Sequence, residues 1–142
     1  MTVTADDYVR AVAAATREVG GLLVLDCIAS GAIWVDMQAT GVDVLISAPQ
    51  KGWSSSPTGA MVGLSDRALK VMEGTTSTSF AADLKKWHQI MQAYEQGGHA
   101  YHATMPSDAL ARFSDVINEM HAYGFDKLRD EQQALGNRVR AL

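Results

Sequence analysis

Two stretches decide the fold: residues 22–36 read LLVLDCIASGAIWVD, and residues 41–69 read GVDVLISAPQKGWSSSPTGAMVGLSDRAL. They contain short, mostly apolar runs at residues 22–25, 42–46 and 59–64. The first run is continuous and ends at Asp26, which is typical of a parallel strand that is buried on both faces. The pattern therefore predicts three strands, the first of them inside the sheet.

Helices are predicted before and after these strands, because apolar side chains recur there at helical spacing. Ser65 is a predicted N-cap for a short helix after the third strand, and Gly124 separates the last two helices. We expect an α/β fold, with a mostly parallel sheet flanked by helices. The predicted helices cover roughly residues 5–19, 66–73 and 83–94, then run from Ser107 or Asp108 to Gly124 and from about residue 125 into the C-terminus.

Composition narrows the class of protein. The chain has 142 residues, of which 47% are hydrophobic and 20% charged, as is ordinary for one globular domain. A formal charge of −4 without a basic run gives no sign of a nucleic-acid partner, and no apolar run approaches the roughly 20 residues of a membrane helix. The single cysteine, Cys27, cannot form an internal disulfide, so we expect a cytoplasmic protein.

Two ionisable residues stand where ligands collect in α/β sheets. Asp26 ends the first predicted strand, and Lys51 follows the second. Ligands bind beyond the carboxyl ends of parallel strands, so this carboxylate and this amine are expected to face one crevice. Lys51 has small and apolar neighbours, which predicts a sheltered amine able to act as a nucleophile. Taken singly, each residue also fits an ordinary role, as a solvated loop lysine or a turn-forming aspartate.

The same stretches resemble class V aminotransferases of the pyridoxal-phosphate fold-type I superfamily, nearest to alanine–glyoxylate and serine–pyruvate aminotransferases. The shared pattern is a strand that ends in Asp, followed by a GVD strand that leads to a Ser-x-x-Gln-Lys turn and a small loop with proline. Two later blocks, TSTSFAADLKKW at 76–87 and AYHATMPSDAL at 100–110, resemble the family's substrate-side segment and its Tyr-x-x-Thr loop. The resemblance covers most of the chain from residue 22 onward.

The resemblance implies pyridoxal 5'-phosphate as the cofactor and assigns five site residues. Lys51 matches the lysine that forms a Schiff base with the cofactor and then moves the substrate proton. Asp26 matches the carboxylate paired with the pyridine nitrogen, and Gln50 matches a residue near the cofactor phosphate. Tyr101 and Thr104 match a pair that reaches the phosphate of the partner subunit, which implies a homodimer with a shared site. No metal site is predicted.

Two departures from related patterns qualify this interpretation. Cysteine desulfurases of the same fold place a histidine just before the lysine, whereas Gln50 stands there in this chain. The family's phosphate-binding turn and its substrate-binding arginine belong to segments that have no counterpart in this sequence. We therefore expect one partial domain over residues 1–142. The helix that links this domain to a second one is expected to start near residues 125–142. None of the arginines matches that substrate-binding position; they are Arg10, Arg17, Arg67, Arg112, Arg129, Arg138 and Arg140.

The resemblance, together with the family segments that have no counterpart here, leaves two hypotheses of function. The first is a pyridoxal-phosphate-dependent transaminase that moves an amino group from a small amino acid, of the alanine or serine type, to a 2-oxo acid such as glyoxylate or pyruvate. The second is a catalytically silent, truncated paralogue or fragment that acts at most as a dimerisation module. The Asp26–Lys51 pair favours the enzyme, and the missing segments favour the fragment.

Overall fold

A computed structural model describes residues 4–142. The chain forms an α/β arrangement in which most predicted elements are found close to their expected bounds. In chain order the elements are α1 (Asp6–Glu18), β1 (Val24–Asp26), α2 (Met37–Thr40), β2 (Val44–Ser47), β3 (Met61–Leu64), α3 (Asp66–Glu73), α4 (Leu84–Glu95), α5 (Ser107–Tyr123) and α6 (Phe125–Arg140). The short helix α2 has no counterpart among the predicted helices.

The sheet has the order β1-β2-β3 and is mixed rather than mostly parallel. β1 pairs with β2 in parallel, with Asp26 opposite Ile46, whereas β2 pairs with β3 antiparallel, with Ser47 opposite Met61. The reason lies in the connections: the link from β1 to β2 contains α2, but residues 48–60 contain no helix and turn the chain back on itself. The α/β class is confirmed.

The position of β1 differs from the prediction. β1 lies at one edge of the sheet among the described residues, and Val24 is 53% exposed, so this strand is not buried on both faces. Other large apolar side chains are exposed as well, among them Phe80, Met91 and Leu135. The buried apolar core consists mainly of small side chains. Its members include Val9, Ala13, Ala32, Val42, Ala48, Ala68, Ile90 and Val116.

The buried carboxylate of Asp43 links the sheet to the loop that follows α1 and to α3. The side chain of Asp43 is 1% exposed and accepts hydrogen bonds from the Leu23 amide at 3.0 Å, from Arg67 Nη1 at 2.7 Å and from Ser65 Oγ at 3.2 Å. Arg67 Nη2 also donates to the carbonyl of Gly21 at 2.6 Å. Burial alone would raise the pKa of Asp43, but these hydrogen bonds and the Arg67 charge outweigh it and hold the pKa below its ordinary value.

The last helix docks onto the loop that follows β1. Trp34 Nε1 donates a hydrogen bond to the carbonyl of Phe125 at 3.3 Å, and the ring of Trp53 meets that of Phe125 edge-on with centroids 6.4 Å apart. This hydrogen bond attaches the loop after β1 to the first turn of α6. The start of α6 therefore lies beside the loops that carry Asp26 and Lys51.

Candidate active site

A cleft of about 720 Å³ lies at the carboxyl end of β1. Its walls come from the loop after β1, the start of α1, part of α6 and the turn after β2. This is the position that the sheet topology predicts for a ligand site. The structure brings Asp26 and Lys51 together as lining residues of this one cleft.

Asp26 is the last residue of β1, and its side chain is exposed toward the cleft. Its Oδ1 accepts a hydrogen bond from the amide of Ile28 at 2.9 Å. An aspartate that binds an amide two residues further along forms a local turn, which orients the carboxylate at the point where the strand ends. The carboxylate is thus held by its own loop and can accept a further hydrogen bond from a ligand.

Lys51 lies in the turn that follows β2, and its side chain is exposed. The expectation of a sheltered amine was wrong: the small and apolar residues that precede the lysine, Ala48 and Pro49, are buried, but Lys51 itself is not. The backbone of the turn is well defined, since the amide of Ser54 donates to the Lys51 carbonyl at 3.0 Å and Ser55 donates to Pro49 at 3.0 Å. The rigid turn presents a flexible amine to the cleft.

A contact between two glycines sets the distance between the loop after β1 and the lysine turn. A Cβ added to Gly31 would lie 2.4 Å from the Cα of Gly52, and a Cβ added to Gly52 would lie 2.8 Å from the Cα of Gly31. Gly31 also has a φ of +42°, which favours glycine. Sequence reasoning missed this contact, because each glycine by itself is typical of an ordinary loop.

Hydrogen bonds reinforce the same junction. The amide of Cys27 donates to the carbonyl of Ile46 at 2.7 Å, and buried Ser47 donates from Oγ to the Cys27 carbonyl at 3.4 Å. Trp53 Nε1 in turn donates to Ser47 Oγ at 2.9 Å. The residues next to Asp26 and those next to Lys51 are therefore tied together through backbone and side chain.

Cys27 follows Asp26 and is buried. Burial raises the pKa of the Cys27 thiol, a hydrogen bond with Ser30 lowers it in part, and the charge of Asp26 raises it further. A thiol with a raised pKa is mostly protonated at neutral pH and is a weak nucleophile. Its chemical inertness stays a prediction.

The other three predicted site residues lie elsewhere. Gln50 is exposed on the lysine turn and is not among the residues that line the cleft. Tyr101 and Thr104 lie in the exposed loop between α4 and α5, where their hydroxyl groups are 3.0 Å apart. The structure therefore unites two of the five predicted residues, and the roles of all five stay predictions.

No group of three or more His, Cys, Asp or Glu side chains among residues 4–142 is placed to hold a metal ion. No helix that the structure describes is long and apolar enough to cross a membrane.

Comparison with solved structures finds aminotransferases. An alanine–glyoxylate aminotransferase from Nostoc sp. matches with a TM-score of 0.72 and 23% identity, over 90% of this chain and 34% of that one. The aspartate aminotransferase of subgroup IV from Thermus thermophilus matches with a TM-score of 0.67 and 26% identity, over 86% of this chain and 33% of that one. A ureidoglycine–glyoxylate aminotransferase from Bacillus subtilis matches with a TM-score of 0.65 and 20% identity, over 86% of this chain and 31% of that one.

Comparison with curated proteins adds a relative of different description. The small subunit of a soluble hydrogenase from Synechococcus sp. (strain PCC 6716) is 27% identical over 121 residues, which cover 84% of this chain and 30% of that protein. No protein-family model matches the chain. This chain spans about a third of the length of each of these proteins.

The fold is therefore that of the large domain of aminotransferases, which confirms the resemblance at the level of structure. The solved structures that share the fold are enzymes that transfer amino groups, according to their descriptions. The cleft that contains Asp26 and Lys51 lies beyond the carboxyl end of a strand of that fold.

Proposed function

We propose that this chain is the cofactor-binding part of a pyridoxal-phosphate-dependent aminotransferase. The proposed reaction moves an amino group from a small amino acid, of the alanine or serine type, to a 2-oxo acid such as glyoxylate or pyruvate. The observation that supports it most is that Asp26 and Lys51 line one cleft of an aminotransferase fold.

The residues of the cleft fit the cofactor by size and by chemistry. A volume of about 720 Å³ lies within the usual range of small-molecule and cofactor sites. Lys51 is the only lysine that lines this cleft in the part of the chain that the structure describes, so it is the one primary amine there able to bond an aldehyde carbon. The Asp26 carboxylate is oriented by the Ile28 amide and can accept a hydrogen bond from a ring nitrogen.

When bound, pyridoxal phosphate supplies an electron sink that stabilises negative charge at the α-carbon of an amino acid. Lys51 would hold the cofactor covalently through Nζ and, once released from it, would take and return the proton of the α-carbon. Asp26 would keep a proton on the ring nitrogen by pairing its carboxylate with it. The exposed amine of Lys51 sits on a rigid turn, so it can move between these two tasks while the turn stays in place.

Three further features of the proposal rest on the resemblance. Gln50, Tyr101 and Thr104 would bind the cofactor phosphate, and the last two would do so in a partner subunit of a homodimer. The exposed position of the Tyr101–Thr104 pair, away from the cleft of its own chain, supports that arrangement. We also propose a cytoplasmic location, which the single cysteine supports, and a link to a second domain that begins with α6.

The test is a titration with pyridoxal phosphate followed by visible absorbance. We expect the unchanged chain and the Lys86→Ala variant to develop the same cofactor band, because Lys86 is exposed on α4, outside the cleft. Lys51→Ala should lose the band, and Asp26→Asn should bind the cofactor more weakly. If Lys51→Ala and Lys86→Ala behave alike, the proposal is wrong and the silent dimerisation module becomes the better interpretation.

A further inference from the structure

The loop between α4 and α5 contains a histidine, His102, whose imidazole packs against two aromatic rings. Its centroid is 4.2 Å from that of Phe80, with an interplanar angle of 34°, and 4.8 Å from that of Trp87, with an angle of 77°. Tilted and edge-on arrangements of this kind attract aromatic rings to each other. We call these three side chains the aromatic clasp.

Hydrogen bonds connect the aromatic clasp to the backbone before α4. Nε2 of His102 is 3.0 Å from the carbonyl oxygen of Phe80, and because a carbonyl can only accept, Nε2 is the donor. Trp87 Nε1 donates to the next carbonyl, that of Ala81, at 2.8 Å. The clasp therefore joins three parts of the chain: the segment before α4, the first turn of α4 and the loop after it.

His102 stands in the sequence between Tyr101 and Thr104, whose hydroxyl groups are 3.0 Å apart. Tyr101 is 68% exposed, whereas His102 is half-buried. In the contact between the two hydroxyl groups one donates to the other, so the proton of the second is not used there and can be donated to an anion. The loop thus turns His102 toward the protein and presents the Tyr101–Thr104 pair at the surface.

The backbone of this loop gives the pair little support of its own. Among residues 4–142, residues 99–105 make no backbone–backbone hydrogen bond. Side chains hold the loop instead: Nδ1 of His99 is 3.1 Å from the hydroxyl of Tyr94 near its start, and His102 lies in the aromatic clasp further along. The contacts of His102 therefore decide where its neighbours Tyr101 and Thr104 lie.

We propose that His102 is a positioning residue for the cofactor phosphate: through the aromatic clasp it holds the hydroxyl groups of Tyr101 and Thr104 in place for the phosphate bound by the partner subunit. The inference rests on the proposed function, in which this pair binds that phosphate. His102 acts through its neighbours and does not touch the ligand. Its loss should therefore weaken the binding of a ligand that carries the phosphate group and spare one that lacks it.

The experiment compares pyridoxal phosphate with pyridoxal, which has the same ring and aldehyde but no phosphate, by titration of the visible absorbance band. We expect His102→Ala to weaken pyridoxal-phosphate binding by about fivefold or more and to leave pyridoxal binding within about twofold. His102→Phe keeps an aromatic ring and should fall between His102→Ala and the unchanged chain. His88→Ala, which alters a histidine of α4 outside the clasp, should change neither titration.

Phe80→Ala tests the clasp from outside the loop. Phe80 is 65% exposed, so the variant should fold, and its carbonyl can still accept from His102. We expect a smaller loss than for His102→Ala, again confined to pyridoxal phosphate. Because both changes break the same contact, the double variant should bind like His102→Ala alone.

Three results would overturn the inference: no loss for His102→Ala, equal losses for the two ligands, or a double variant that loses the product of the single losses. Circular dichroism checks the fold, and if His102→Ala does not fold, Phe80→Ala and His102→Phe decide the question. Failure of the proposed function looks different: neither ligand then gives a band that depends on Lys51, and the inference falls with it. A Lys51-dependent band whose phosphate preference ignores the clasp overturns the inference alone.

Discussion

Replacing Gly31 by alanine tests how the two halves of the cleft are held together. The new Cβ would lie 2.4 Å from the Cα and carbonyl carbon of Gly52, in a residue whose φ is +42°. The left-handed backbone costs a residue with a side chain about 1–2 kcal/mol, and an extra carbon in a packed contact costs about 1–3 kcal/mol. Alanine also lowers the conformational entropy of the unfolded chain, which offsets about 0.4–1 kcal/mol of this loss of stability. We expect the free energy of unfolding to fall by about 2–4 kcal/mol.

Two matched variants separate these effects. Gly20 has a φ of +72° and nothing within 4 Å of an added Cβ, so Gly20→Ala should carry the backbone cost alone, about 1 kcal/mol. Gly52→Ala brings the steric contact with Gly31 at 2.8 Å, without a left-handed backbone. Urea unfolding followed by circular dichroism measures all three, and a loss of about 3 kcal/mol should lower the Tm by roughly 6–12 °C in a chain of this size.

The contact also bears on the site. Because Gly31 and Gly52 bring the Asp26 loop against the Lys51 turn, Gly31→Ala should weaken pyridoxal-phosphate binding at temperatures where the variant is folded, and Gly20→Ala should not. The reasoning is refuted if Gly31→Ala loses no more stability than Gly20→Ala. It is refuted equally if the folded Gly31→Ala variant binds the cofactor as tightly as the unchanged chain.

Three further predictions concern buried groups. Asp43→Asn should lower the free energy of unfolding in urea by about 2–4 kcal/mol, because it breaks a buried pair with Arg67, whereas the exposed Asp7→Asn should change it by less than about 0.5 kcal/mol. The pKa of Asp43 is lowered in the folded chain, so the stability that its carboxylate contributes is present above about pH 4 and is lost as the pH falls further. The Tm values of the unchanged chain and of Asp43→Asn should therefore converge toward about pH 3. Tm curves that stay parallel down to about pH 3 would contradict this. Burial raises the pKa of the Cys27 thiol, so an aromatic disulfide reagent at pH 7 should label it only after denaturation, and rapid labelling of the folded chain would be the contrary result.

The sequence predicts the helices well because their signals are local. Ser65 caps α3 as expected, with its side chain accepting from the Ala68 amide, and Gly124 separates α5 from α6. Strand position is different, since an apolar run shows that a segment is extended but not which neighbours it has. Residues 22–25 were therefore expected inside the sheet, whereas β1 lies at its edge among the described residues.

The candidate site was predictable only in part, for a related reason. Asp26 and Lys51 could be brought together in advance, because each follows a strand and strand ends share an edge. The contact between Gly31 and Gly52 depends on two loops meeting, which no local pattern encodes. The contribution of Arg129 to the wall of the cleft was equally hidden: the amphipathic pattern predicts a helix from about residue 125, but the face that meets the cleft follows from the docking of Trp34 on that helix.

The most direct measurement of the central claim is the location of bound cofactor. The chain is saturated with pyridoxal phosphate, reduced with borohydride to fix any imine, digested, and analysed by peptide mass spectrometry. The account predicts that the mass of the reduced cofactor lies on Lys51 and that the Lys86→Ala variant gives the same map. Label spread over surface lysines such as Lys85 and Lys86, with none favoured at Lys51, would contradict it.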